Sequence, residues 1–156
     1  MKKFLYLFLC SLPLLFATAC SDDDDAPDVS INLEISGGVV SNGTIYGVAD
    51  STLTVDAIEV VNHDGKTATL ANVFYFWDGI PMGPSPAYPY GYEMTLPEAP
   101  GDHVLSIEAN LLVVDKPIYN TLLRYRVTVV ESEEQLPEGT NTREYDPVLQ
   151  QAEPDK

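Results

Sequence analysis

The chain has 156 residues, 8 of them basic and 24 acidic, for a formal charge of −16. That length suits one domain with tails and a core of useful size. The acidic balance argues against nucleic acid and anionic lipid as partners; it serves solubility and leaves soluble cations as the remaining electrostatic attraction.

Residues 1 to 20 read as a targeting segment. Lys2 and Lys3 give a positive start, Phe4 to Phe16 an apolar run broken by Pro13, and "ATAC" a stretch of small residues. The run falls short of the ~20 apolar residues that span a membrane, so it is expected to be a secretory signal. Cys20 stands where bacterial lipoproteins carry their lipidated cysteine. The segment resembles their lipobox, departing from it at Ala17, where leucine is more usual. The resemblance implies that Cys20 bears a diacylglyceryl thioether and an N-acyl group, enough chains for a lasting tether to the membrane. Cys10 lies in the removed signal, so the mature chain would keep one cysteine with its sulfur committed to lipid. No disulfide, thiolate metal site or cysteine nucleophile is then expected. Losing Lys2 and Lys3 with the signal takes the basic count from 8 to 6 against 24 acids, a charge of −18.

The next stretch, 21 to 28, is an acidic linker: Ser21 is followed by Asp22, Asp23, Asp24 and Asp25, whose charges repel and extend the chain. Directly after a lipidated cysteine, this run resembles the export signal of Bacteroidota surface lipoproteins. The resemblance implies an address on the outer membrane, facing outward.

From residue 29 to 131 the pattern is one of short alternating strands. "VSINLEIS" (29 to 36) places Val29, Ile31, Leu33 and Ile35 on one face. Gly37, Gly38, Asn42 and Gly43 mark turns or loops. "STLTVDAIEVV" (51 to 61) alternates through Leu53, Val55 and Ala57, then slips parity at Ile58 and Val60, as a bulge or a twisted edge would make it do. Asp64-Gly65 in "NHDGK" predicts a tight hairpin. "TATLANVFYFW" (67 to 77) is strongly β-prone. Stretches 92 to 96, 102 to 113 and 122 to 130 complete about seven strands. The expected fold is an all-β antiparallel sandwich in a single domain.

The middle of the chain sharpens this. Asp78-Gly79 after an aromatic strand, then Pro89-Tyr90, then Pro100-Gly101-Asp102-His103 before Leu105, Ile107 and Ala109, and finally "LRYRVTVV", together resemble bacterial immunoglobulin-like modules over roughly residues 45 to 130. The resemblance implies an Ig-like sandwich and is nearly silent on function. Placing Asp78-Gly79 at the end of strand C turns Val73, Tyr75 and Trp77 inward. His103, Leu105, Ile107 and Ala109 would line the inside of strand F, and Tyr125, Val127 and Val129 that of strand G. Phe74 and Phe76 then face outward beside Ser106, Glu108, Arg124 and Arg126, an unusual placement for two phenylalanines. The loop after Gly79 or the C-terminal tail is expected to cover them; a docking face for a partner is the other reading. Reversed parity would instead expose Trp77.

The loop 79 to 92 is rich in proline and tyrosine. Tyr88, Tyr90 and Tyr92, with Trp77, form a candidate glycan platform, although Tyr90 and Tyr92 could equally start a strand and pack inward. No catalytic residue and no cofactor is expected: there is no nucleophile elbow, phosphate loop or His pair at metal spacing. His63 falls in a turn, and His103 reads as a structural histidine. Asp56, Asp64 and Asp102 lack the alternation of a calcium loop, so no metal is assigned. Residues 132 to 156, acidic and proline-bearing, are expected to be a disordered or loosely docked tail, with Val148 and Leu149 as a small apolar anchor. The sequence thus predicts a non-catalytic cell-surface lipoprotein contacting a protein partner through Phe74, Phe76, Arg124 and Arg126. The alternative is a glycan-binding accessory of a polysaccharide-uptake system.

Overall fold

Residues 26 to 152 are described by the computed structural model; Cys20 and the run Ser21 to Asp25 lie outside them. Strand β1 (Val29–Ser36) buries Val29, Ile31, Leu33 and Ile35, as its alternation requires. It pairs antiparallel with β4 (Thr52–Asn62). The parity slip in β4 is a bulge: Glu34 faces Ala57 while Ile35 faces Val55, so Asp56 is the extra residue and Val55 and Ile58 both point inward.

Between them, β2 (Gly38–Ser41) and β3 (Thr44–Val48) form a hairpin across Asn42-Gly43, both at positive φ, as a two-residue primed turn demands. This hairpin lies in the other sheet. Gly37 makes the switch at φ 74, packed so closely that a Cβ would run into the Thr52 carbonyl oxygen.

The remaining strands are β5 (Ala68–Trp77), β6 (Ile80–Ser85), β7 (Tyr92–Thr95), β8 (Gly101–Val113), β9 (Tyr119–Val130), β10 (Thr142–Tyr145) and β11 (Leu149–Gln151). One sheet has the order β10-β1-β4-β7. The other runs β2-β3-β9-β8-β5-β6, with β3 parallel to β9 and β11 also paired to β9. The inner faces meet in one core that includes Leu53, Tyr75, Leu105, Ile107, Leu111, Leu123, Tyr125 and Val127. The all-β sandwich stands; among the described residues eleven strands replace the expected seven or so, because the elements the sequence hides are only three to six residues long.

Two local expectations change, and one local feature is new. Asp64-Gly65 does make a tight turn, with Asn62 Oδ1 accepting from the Asp64 N–H at 2.8 Å and Gly65 at φ 74. Yet it joins β4 to β5 in different sheets, so it is a crossover and not a hairpin. Dipeptide chemistry sets a turn, whereas strand partners are chosen by the whole core. The tail is not loose through residue 151. β10 pairs with β1, and β11 pairs with β9. Together they strap the open side of the sandwich, where the Arg143 guanidinium lies 5.1 Å from the Tyr125 ring centre and 5.9 Å from that of Tyr145. Burial pushes the Tyr125 hydroxyl far above its ordinary pKa, Arg143 opposes that rise and Tyr145 adds to it. Finally, β5 carries a bulge at Asn72-Val73, with Asn72 at φ 52. It lets Leu70 and Val73 both face inward and so sets the outward parity of Phe74 and Phe76.

Candidate binding face and its groove

The outer face of the larger sheet holds a groove of about 810 Å³ whose lining includes Phe74, Phe76, Asn110, Leu122, Arg124 and Val148. Phe74 and Phe76 sit on it half-buried, ring centres 5.2 Å apart and planes inclined at 45°. Segments after Gly79 and from the tail cover them in part, since Pro81, Tyr145, Val148 and Gln150 line the same groove. Pro81 of β6 forms part of one border and Val148, 69 % exposed, part of another. β6 is an edge strand, and Pro81 and Pro84 remove donors from it, which discourages a further strand from pairing there.

Across this face runs a row of side-chain amides. Asn72 Nδ2 donates to Asn110 Oδ1 at 3.0 Å, and Asn110 Nδ2 donates to Asn120 Oδ1 at 2.9 Å. The row crosses β5, β8 and β9 because Asn110 faces Ala71 on one side and Asn120 on the other. Sequence reading missed it: each asparagine is unremarkable alone, and only register aligns them. The one available signal was asparagine at Asn72 and Asn110 within strands that otherwise favour branched and aromatic residues. Glu108 and Arg124 flank the aromatic pair, while Arg126 is exposed further along β9 and outside the groove lining.

The expected glycan platform is dispersed. Tyr90 is buried, its hydroxyl donating to the Leu70 carbonyl at 2.6 Å while its own carbonyl accepts from Tyr75 Oη at 2.5 Å. Burial pushes the Tyr75 hydroxyl far above its ordinary pKa, and nearby Tyr125 adds to the rise. Tyr92 stacks inward on Tyr75 with ring centres 4.6 Å apart. These two are structural: Tyr90 belongs to the buried core and Tyr92 packs against it. Tyr88 is exposed, its hydroxyl donating to Glu59 Oε1 at 3.3 Å; Glu59, by charge and hydrogen bond, and Glu34 raise its pKa. Trp77 is half-buried against the core and stacks on His103 at 5.1 Å.

His103 has a structural partner. Its Nδ1 lies 2.7 Å from Asp78 Oδ2, and Asp78 Oδ1 accepts from the Val104 N–H at 2.8 Å. Desolvation, the largest single influence, raises the Asp78 pKa, but the hydrogen bonds from His103 and Val104 and the charge of His103 together outweigh it and hold the carboxyl below its usual value. A depressed folded-state pKa contributes stability above the unfolded value of about 4 that is lost as pH falls through the folded one. Asp78→Asn should therefore flatten the acid side of the stability profile. Urea midpoints of the two proteins should converge between pH 7 and pH 3; parallel profiles would sink the assignment.

Asp56, Asp64 and Asp102 lie apart, accepting from Ser36 Oγ, the Asp28 N–H and Thr128 Oγ1 respectively. Among the described residues no group of three His, Cys, Asp or Glu side chains is arranged to hold a metal ion.

No family model and no curated protein matches the chain. Among solved structures, it is similar to the fibronectin(III)-like modules of Clostridium thermocellum CbhA. The identity is 19 % and the TM-score 0.41, covering 64 % of this chain and 99 % of that one. The molecule is an all-β, two-sheet sandwich, as its own strand pairing shows.

Proposed function

We propose that this protein is a non-catalytic binding module, held on the outer membrane by lipid on Cys20 and turned outward by Ser21 to Asp25, that takes its ligand on the outer face of the larger sheet. The observation that carries the reading is the open groove with the Phe74–Phe76 pair half-buried beside an ordered amide row. Two adjacent aromatic rings half-buried in an open groove on an outer sheet face offer apolar surface for contact with a ligand. The acidic run beyond Cys20 supports the address through its resemblance to the export signal of Bacteroidota surface lipoproteins.

A photo-reactive residue at Ser106, which neighbours both Phe76 and Arg124 across the strands, tests the face on intact cells. An adduct that weakens on Phe76→Leu is expected; labelling indifferent to that change would remove the face. The anchor has its own test. Cys20→Ser should abolish incorporation of a palmitate analogue and shift the protein from membrane to soluble fractions, whereas unchanged partition would refute lipidation.

A further inference from the structure

From this groove we infer that the ligand is an extended, neutral saccharide chain lying across the strands over Phe74 and Phe76, a proposal that rests on the binding-face reading above. The lining spans β6, β5, β8, β9 and β11, from Pro81 to Gln150. At about 4.8 Å between neighbouring strands this is roughly 19 Å, the reach of a short oligomer. A partner held by a globular interface would need about 800 Å² of its surface covered, with an apolar centre. Here the apolar lining consists of Phe74, Phe76, Leu122, Tyr145 and the buried Ala109, interleaved with amides and charges, and Pro81 and Val148 border it.

The lining chemistry is mixed in the way a sugar is mixed. A pyranose has C–H faces that rest on aromatic rings and hydroxyls that both donate and accept. Each amide of the row is fixed by its neighbour, yet capacity remains: Asn120 keeps both Nδ2 hydrogens and Asn72 its Oδ1. Groups oriented before binding lose little entropy on engaging hydroxyls. Charge selects against acidic glycans. Arg124 supplies one positive group, but Glu108 stands beside it and the whole chain carries −16, so uronate or sulfate chains are repelled. The aromatic site thus moves from the tyrosine loop, where Tyr90 and Tyr92 serve the core, to the opposite side of β5.

Affinity electrophoresis of the full chain through gels containing soluble glucan, xylan or mannan, with polygalacturonate as the acidic counterpart, tests this. At least one neutral polysaccharide should retard migration and polygalacturonate should not. Phe76→Leu, which keeps apolar bulk without a ring, should weaken retardation about tenfold at an unchanged unfolding midpoint. Asn120→Ala, at the exposed end of the row, serves if the first variant unfolds early. Tyr88→Phe should leave binding intact. Retardation by polygalacturonate alone, by none of the polymers, or equally in Phe76→Leu and Asn120→Ala overturns the proposal. If no polymer binds but the Ser106 photo-adduct remains sensitive to Phe76→Leu, the face survives with a protein ligand and only the saccharide is refuted. If both fail, the face itself is lost.

Discussion

Ending the chain at Thr140 should lower the thermal midpoint by roughly 15 °C, because the strap of β10 and β11 closes the core rather than decorating it. The cut removes the pairing of Thr142–Tyr145 with β1 and of Leu149–Gln151 with β9. It also strips Arg143 and Tyr145 from the ring of Tyr125, a fully buried residue. Exposing that end of the core forfeits burial comparable to truncating a large aromatic side chain, on the order of 4 kcal/mol. Tyr145→Ala should reproduce about half of the loss, since one of the two faces around Arg143 remains. Calorimetry on the truncated and full chains decides the matter: midpoints within about 3 °C would show that residues 141 to 156 are dispensable to the fold.

Gly37→Ala should cost about 3 kcal/mol, the sum of a left-handed backbone penalty and an overpacking cost of similar size. At φ 74 any side chain is strained, and a Cβ here also meets the Thr52 carbonyl, which β4 holds fixed. Gly65→Ala is the control. Gly65 has the same φ of 74, but nothing lies near its missing Cβ, so it should lose only about 1 kcal/mol. Denaturant midpoints of the two variants separate strain from collision. Equal losses would mean that the chain can shift at Gly37 and that the sheet switch there is soft. The position matters because Gly37 carries the chain from β1 in one sheet to β2 in the other, so a displaced Gly37 would disturb the parallel pairing of β3 with β9.

Much of the sandwich was legible because alternation is a local property. Val29, Ile31, Leu33 and Ile35 announced an inward face, and the slip expected after Ala57 announced a bulge that the structure sets just before it, at Asp56. Phe74 and Phe76 were likewise assigned outward from the parity of Val73 and Tyr75, and the structure keeps that assignment. Short elements were not legible. Three residues at Leu149–Gln151 cannot show a period, and β10 is a strand because β1 offers it donors and acceptors. The tyrosines of the loop were ambiguous for a related reason: Tyr88, Tyr90 and Tyr92 differ little in local sequence, while burial separates them completely.

What the sequence determined by itself was a two-residue period and the turns at Asn42-Gly43 and Asp78-Gly79. These depend only on neighbours in the chain. The tertiary structure decided which strands share a sheet, which tyrosines fill the core, and that Asn72, Asn110 and Asn120 form one row beside two phenylalanines. Those facts depend on register between strands up to 114 positions apart, the separation of Ile31 and its partner Tyr145. Register is set by the collective burial of both inner faces, and no local stretch encodes it.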